Sequence, residues 1–135
     1  MAKPQRVTFL KANLKDQPGT LLGVMKDLKS KNIALKSLWG YGRSEGTAEL
    51  FAIAKDPDKL RNAWKATGVF AEEGTGFFIK GVDKTGILLK SLEALAQANV
   101  NIKTTNAIAV SGKFGSIICV DAIDVEKAAE VLGAK

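Results

Sequence analysis

The sequence of 135 residues contains no histidine and a single cysteine, Cys119. Without histidine, a Ser-His-Asp triad, a Cys-His pair and the common zinc sites cannot form, and the usual general base near neutral pH is absent. A single cysteine cannot form an intramolecular disulfide, and its position between Ile118 and Val120 is typical of a small buried hydrophobic residue. We therefore expect no enzymatic activity, no metal and no other cofactor.

Long hydrophobic runs are also missing. No apolar segment approaches the about 18 residues that a membrane-spanning helix requires. The first residues, MAKPQRVTFLK, lack the apolar core of a signal peptide. These absences predict a cytoplasmic protein without a membrane partner. Hydrophobic residues still make up 46% of the chain, which at this length is enough to build a continuous core.

Positive charge is in excess, with 20 Lys and Arg against 14 Asp and Glu. The excess is local: residues 1–70 carry 13 basic and 6 acidic side chains, whereas residues 71–135 carry 7 and 8. A local excess indicates either an anionic partner or lysines on solvated helix faces, and scattered lysines are more often solvated.

The most informative feature is an internal repeat with an offset of 67 residues. The segment DQPGTLLGVMKDLKSKNIALKS at 16–37 aligns with DKTGILLKSLEALAQANVNIKT at 83–104. Acidic, glycine, leucine and asparagine positions coincide in this register, which implies two tandem copies of one unit. We expect the copies to span residues 1–70 and 71–135 and to be joined by the glycine- and acid-rich segment 67–76.

Each copy has the pattern strand, helix, strand, strand, helix. The turn Pro18-Gly19 precedes an amphipathic helix that Asn32 ends, and Asp56-Pro57 is typical of the start of a second helix. The predicted strands are 7–14, 33–41 and 47–54 in the first copy and 75–82, 100–110 and 116–121 in the second, with second-copy helices at 85–98 and after Asp124. A closing strand, or the first strand of the neighbouring copy, would complete a small antiparallel sheet with helices on one face, an α+β fold.

The two aligned segments resemble the ACT domain. DQPGTLLGVMKDLKSKNIAL and its weaker copy DKTGILLKSLEALAQANVNI have an acidic residue and a glycine at the first strand-to-helix turn, a leucine-rich helix and an Asn-aliphatic-x-aliphatic start to the second strand. The resemblance implies two ferredoxin-like βαββαβ units side by side, with antiparallel sheets and helices on one face. It also implies a non-enzymatic regulator that binds an amino acid or a related small carboxylate between the units.

This chain departs from the family pattern in two ways. Thr85 stands where the first copy has Pro18, and the 135 residues include no catalytic domain. We therefore expect any regulated protein to be bound in trans.

The turn DQPGT has chemistry that suits a zwitterionic ligand. Gly19 lets the backbone approach a ligand closely, and free N–H groups at the start of the helix favour a carboxylate. Asp16 could take the ammonium group, although it could instead cap the helix while Gly19 merely permits a sharp turn. The candidate ligand-binding residues of the first copy are Asp16, Gln17, Pro18, Gly19, Thr20 and Leu21.

The second copy contributes a weaker set of candidates. Its corresponding turn lacks the proline, whereas the polar residues that open its next strand could line a pocket, because asparagine is depleted in strands. We expect the segment 99–104 to form the opposite wall of a site between the units. The candidates are Asp83, Gly86, Ile87, Asn99, Asn101 and Thr104.

Asparagine and aromatic residues have two interpretations each. Asn32 and Asn99 lie where the helical patterns end, which favours helix-ending residues over ligands. Trp39 and Tyr41 in the run LWGYG could flank a ligand, but large aromatic residues on a strand more often pack a core or an interface.

Two other functions were compatible with such a fold. An RNA-binding module could use the sheet and the basic first half, because SGKFGSIICVD superficially resembles an RNP1 motif. However, no glycine follows Lys113, and Ser116 stands where a base-stacking aromatic residue is expected. A small enzyme of the acylphosphatase kind would need an arginine in a glycine-rich strand-to-helix turn, and no arginine lies in one.

Exposed sheet edges are a further expectation. An antiparallel sheet with helices on one side leaves edge strands, which a second copy of the chain can cover. We therefore expect a homodimer that binds a small molecule and does not bind nucleic acid.

Overall fold

The structure, a computed structural model, describes residues 4–82 and 85–134. The chain divides into a first unit, Thr8–Glu73, and a second unit, Gly74–Lys135 together with Met1–Val7. The helices and strands of the described residues are β1 Gln5–Lys15, α1 Thr20–Ser30, β2 Leu35–Gly42, β3 Thr47–Ala54, α2 Pro57–Ala66, β4 Phe70–Val82, α3 Thr85–Gln97, β5 Ile102–Val110, β6 Lys113–Val120 and α4 Val125–Leu132.

In the first unit, β3 pairs antiparallel with β1 on one side and with β2 on the other. Alternate residues of these strands pack against the helices, because successive side chains of a strand point to opposite faces of the sheet. The core formed in this way contains Leu10, Ala12, Leu50, Ala52 and Ala54 from the strands and Leu28, Leu60, Ala63 and Trp64 from the helices. Trp64 of α2 is buried in this core.

In the second unit, β6 pairs antiparallel with β4 and with β5. Its core is built in the same way, from alternate strand residues, from helix residues and from Val100 between α3 and β5: Phe77, Ile79, Ile118, Val120, Leu95, Val100, Ala128 and Ala129. The helices therefore cover one face of each sheet, as the sequence predicted.

The strands β1 and β4 each contribute residues to both units. Residues 5–7 of β1 belong to the second unit, and residues 70–73 of β4 belong to the first. Each unit is thereby completed by a strand segment from the neighbouring copy, one of the two arrangements expected from the sequence. Both units have the ferredoxin-like combination of antiparallel strands and two helices, which confirms the predicted α+β fold class.

An asparagine ends the first helix of each copy. Asn32 has φ of 57° and Asn99 has φ of 60°, the left-handed conformation in which a chain leaves a helix. The N–H groups of Ile33 and Val100 then donate to carbonyls of the preceding helix, Leu28 and Leu95. Because these residues complete the helix ends, β2 and β5 begin at Leu35 and Ile102, two residues later than predicted.

The predicted linker at 67–76 is wrong over most of its length, because β4 begins at Phe70 and not at residue 75. The two glutamates of this segment lie near basic side chains. Glu73 pairs with Arg61 of α2, and a carboxylate oxygen of Glu72 lies 3.9 Å from the Lys11 ammonium nitrogen of β1. Carboxylates that are paired with basic side chains are compatible with a strand. The acidic composition of the segment was therefore not evidence for a loop.

Gly76 of this segment also has a structural reason. Gly76 of β4 lies opposite Cys119 of β6, and a Cβ atom at position 76 would lie only 3.0 Å from the Cys119 sulfur. Glycine therefore permits close packing here and is not a sign of a flexible connection. No helix among the described residues is long and apolar enough to cross a membrane.

The first turn of α2 provides a test of local stability. The Asp56 carboxylate accepts hydrogen bonds from the N–H groups of Asp58 and Lys59, so Asp56→Ala should lower the free energy of unfolding by about 1 kcal/mol. Asp124→Ala is the matched control, because Asp124 precedes α4 without a side-chain capping bond. Urea unfolding followed by circular dichroism measures both. Equal losses would contradict the capping role of Asp56.

Candidate functional site

A cavity of about 330 Å³ opens in the first unit beside the first turn of α1. The end of β1, the second half of β2 and the start of β3 form its remaining walls. Its lining combines polar residues near α1 with apolar residues from the sheet: Leu14, Lys15, Asp16, Gln17, Thr20, Leu21, Leu38, Trp39, Gly40, Tyr41, Gly42, Ala48, Glu49 and Leu50.

The start of α1 has no side-chain cap. Gly19 occupies the N-cap position with φ of 89°, a left-handed conformation that favours glycine. The Thr20 N–H donates to the Gln17 carbonyl at 3.3 Å, whereas the next N–H groups have no acceptor within the helix. Leu21 therefore presents a backbone donor at the edge of the cavity.

The Asp16 side chain lies against β2 and does not cap α1. A Cβ atom placed on Gly42 would lie 2.5 Å from an Asp16 carboxylate oxygen. The helix has no side-chain capping bond, so the alternative interpretation of Asp16 as a cap is wrong. Asp16 lines the same cavity as Thr20 and Leu21 of the first turn of α1.

Glu49 is the one buried acidic residue of the cavity wall, with a side chain 8% exposed. It accepts a hydrogen bond from the Tyr41 hydroxyl at 2.9 Å, lies 3.3 Å from the Lys11 ammonium and pairs with the Arg43 guanidinium. Burial by itself raises the pKa of Glu49, but the bonds from Tyr41, Lys11 and Arg43 outweigh it and hold the pKa below its usual value. Glu49 is therefore an ionised, fully engaged carboxylate.

The contact with Glu49 also affects the pKa of Tyr41. Its partial burial, followed by the hydrogen bond to Glu49, raises the pKa of its hydroxyl. Tyr41 therefore stays a neutral donor near pH 7 and binds β2 to β3 at the cavity.

The two aromatic residues of LWGYG pack beside β3. Trp39 stacks on its cross-strand neighbour Phe51, with ring centroids 5.4 Å apart and planes 5° apart. Trp39 and Tyr41 also line the cavity, and their role beside a ligand stays a prediction. Gly40 and Gly42 leave room against β2 for Leu50 and for the Asp16 carboxylate.

The structure brings together four candidates of the first copy: Asp16, Gln17, Thr20 and Leu21 line the cavity. Pro18 lies in the turn between β1 and α1. Gly19 lines a different cavity of about 240 Å³ between α1 and α2, which Thr20 also reaches.

The candidates of the second copy are more dispersed. Asp83 lies outside the described residues. Gly86 and Ile87 lie in the first turn of α3, and Ile87 lines a cavity of about 300 Å³ beside α4. Asn99 ends α3, whereas Asn101 is exposed before β5 and Thr104 is half-buried within it. The function of the segment 99–104 as the opposite wall of a site stays a prediction, as does ligand binding by the other candidates of the second copy.

Sequence reasoning missed the residues that come from distant parts of the chain. Leu14, Ala48, Glu49 and Leu50 meet only because β1 and β3 pair. One signal was available: the two glycines of LWGYG are two positions apart, so they lie on one face of a strand and leave it bare.

Cys119 and the described acidic residues offer no reactive centre or metal site. Cys119 is fully buried, and burial raises its pKa to about 12, which confirms that it packs as a hydrophobic residue. Within residues 4–82 and 85–134, no three Cys, Asp or Glu side chains are grouped to hold a metal ion.

Several solved structures share this fold. Protein BT0572 from Bacteroides thetaiotaomicron has a TM-score of 0.80 and 26% sequence identity over 98% of this chain and 90% of that chain. The ligand-free regulatory subunit of aspartate kinase from Thermus thermophilus has a TM-score of 0.63 and 18% identity over 95% and 90% of the two chains. The corresponding subunit from Thermus flavus has a TM-score of 0.62 and 17% identity over 98% and 95%. The sequence matches no protein-family model and no curated protein.

These similarities, together with the repeat, define the fold. The chain has a tandem ACT-domain fold: two ferredoxin-like units of the ACT type within 135 residues. The resemblance found in the sequence is thereby confirmed.

The cluster of Glu49 with Tyr41, Lys11 and Arg43 allows a test of how stability depends on pH. Glu49→Gln should lower the free energy of unfolding at pH 7 by about 1–3 kcal/mol, because Lys11 and Arg43 lose their carboxylate partner. The folded-state pKa of Glu49 lies below its usual 4.5, so its contribution is present above that pH and is lost as the pH falls through the folded-state pKa. The difference between wild type and variant should therefore shrink in acid.

Denaturant unfolding across this pH range measures the effect. Glu126→Gln is the control, because the Glu126 pair with Arg6 is exposed and screened. A Glu49→Gln difference that is constant from neutral to acidic pH would show that the carboxylate charge is not what stabilises the cluster.

Proposed function

We propose that this protein is a non-enzymatic regulator that binds an amino acid or a related small carboxylate. The observation that carries the proposal is the position of the Asp16 carboxylate and the uncapped first turn of α1 on one cavity. A carboxylate ligand group would bind the free N–H groups, and Asp16 would bind the ammonium group. This arrangement complements the two charges of a zwitterion.

The fold and the size of the cavity support the proposal. Two of the structures with this fold are regulatory subunits of aspartate kinase, and ACT units are typical of small-molecule regulation. A volume of about 330 Å³ lies at the lower end of the range for small-molecule sites.

The absence of histidine and the inert state of Cys119 support a role in binding rather than catalysis. Glu49, the most buried carboxylate of the cavity, is held ionised by three donors. A carboxylate in that state is not suited to act as a general acid, whose pKa must be raised.

RNA binding is the second candidate. The basic first half of the chain favours it, but Phe114, the aromatic residue of SGKFGSIICVD, is buried and cannot stack on a base from outside. Titration with oligonucleotides at several salt concentrations, beside the amino acid titrations, distinguishes the two functions.

The role of Asp16 can be tested by calorimetry with a panel of free amino acids. Asp16→Ala should weaken binding of the preferred amino acid by about 1.5–3 kcal/mol, because a charged hydrogen bond to the ammonium group is lost. Asp58→Ala is the matched control, since Asp58 pairs with Arg61 and does not line the cavity. Circular dichroism should show that both variants are folded. An unchanged affinity in Asp16→Ala would refute the ammonium-binding role.

We also propose that the protein forms a homodimer through the β5 edge. Within the described residues, β5 pairs with β6 alone. Ile108 and Val110 of β5 are 66% and 60% exposed, and residues 104–112 contain no charge or proline to protect the edge. Such an edge is suited to pair with a second copy.

Ile108→Lys should convert the dimer to a monomer, because a charge would be placed on the paired edge. Ile123→Lys is the control: Ile123 is 90% exposed and lies outside the strands. Light scattering at micromolar concentration gives the mass. A wild-type monomer, or a dimer that persists in Ile108→Lys, would exclude this interface.

A further inference from the structure

The inner wall of the cavity in the first unit is apolar. Leu14, Leu38 and Leu50 line it from β1, β2 and β3, and all three also pack in or against the core. Ala48 completes this wall with a single methyl group. A ligand group that extends from the α1 turn toward the sheet would therefore meet hydrocarbon.

Two glycines of β2 leave room for side chains beside this wall. Gly40 and Gly42 lie on the same face of β2 as Leu38, since alternate residues share a face. A Cβ atom at Gly40 would lie 2.8 Å from the Glu49 carbonyl oxygen and 3.0 Å from a Leu50 methyl group, and one at Gly42 would lie 2.5 Å from an Asp16 carboxylate oxygen. Glycine at these positions therefore allows Leu50 and Asp16 to lie against β2.

The charged residues of the lining offer no partner at the inner wall. Glu49 is already engaged by Tyr41, Lys11 and Arg43. Lys15 is exposed, and the Asp16 carboxylate, which lies beside Gly42, is assigned to the ammonium group of the ligand. A charged ligand side chain at the inner wall would lose its hydration without an ionic partner, which is strongly unfavourable.

The second unit carries larger residues at the positions of Gly40, Gly42 and Ala48, and smaller residues at the positions of the three leucines. Gly42 pairs with Ala48 in the first unit, and the corresponding pair of β5 and β6 is Ala109 with Phe114. Phe114 is buried. Ala107 likewise stands at the position of Gly40 in the repeat.

The α3 side shows the same trend. Ile87 replaces Thr20, and its terminal methyl group would lie 3.2 Å from a Cβ atom at Gly81. Gly81 stands at the position of Leu14, so Ile87 and Phe114 lie where the first unit has its leucine wall. The leucine-lined space is therefore a property of the residues of the first unit.

Building on the proposed function, we propose that this cavity selects an amino acid with an apolar side chain. Its charged groups bind at the α1 turn, and its side chain extends to the leucine wall beside Ala48. Ala48 limits the size of side chain that is admitted.

Calorimetric titration of the wild type with alanine, valine, leucine, phenylalanine, serine, aspartate and lysine tests the class. Leucine or phenylalanine should bind at least about tenfold more tightly than alanine, since each methylene buried in a hydrophobic pocket contributes about tenfold or more. Lysine and aspartate should bind more weakly than either.

Substitutions at Ala48 test the size limit. Ala48→Val should weaken binding of leucine and phenylalanine by about tenfold or more and that of alanine much less. Ala48→Phe, which places the residue of the second unit in the first, should abolish binding of all large side chains. Ala66→Val and Ala66→Phe are the controls, because Ala66 is exposed at the end of α2. Ala48→Val keeps the test valid if Ala48→Phe does not fold.

The outcomes separate the two proposals. If none of the amino acids binds, the proposed function fails and the selection proposed here fails with it. If lysine, aspartate or serine binds most tightly, or if Ala48→Val leaves the order of affinities unchanged, the apolar selection is overturned while amino acid binding stands.

Discussion

The ion pairs and hydrogen bond that converge on Glu49 are the constraint on which the candidate site depends. The residue lies on β3, its partner Lys11 on β1 and its partner Tyr41 on β2, so one carboxylate joins three neighbouring strands. A buried carboxylate without these donors would be strongly destabilising. Because the donors are present, the sheet stays closed beside the cavity even though Gly40 and Gly42 contribute no side-chain packing there.

The parts of the fold that could be predicted are those in which local chemistry dictates the backbone. Asn32 and Asn99 end helices because asparagine tolerates the left-handed conformation, and Asp56-Pro57 starts α2 because both residues suit a helix N-terminus. The course of β4 could not be predicted in this way. Its Gly76 and Glu73 are explained by Cys119 and Arg61, of which Cys119 is distant in the sequence.

The candidate site divides along the same line. Asp16, Gln17, Thr20 and Leu21 form one continuous turn, so a local motif was enough to predict that they lie together. The apolar wall requires Leu14, Leu38 and Leu50 to come from three strands, and only the strand pairing brings these residues together. The burial of Glu49 could not be predicted from the sequence either, because acidic residues are normally exposed.

The sharing of β1 and β4 between the units has a consequence for how such a chain can be divided or rearranged. A cut between residues 73 and 74 would not release two complete domains, because the second unit would lose the residues at the start of β1, and β4 itself would be interrupted. Truncation to residues 74–135 therefore removes the strand residues 5–7 that belong to the second unit, and truncation to residues 1–73 ends the chain within β4.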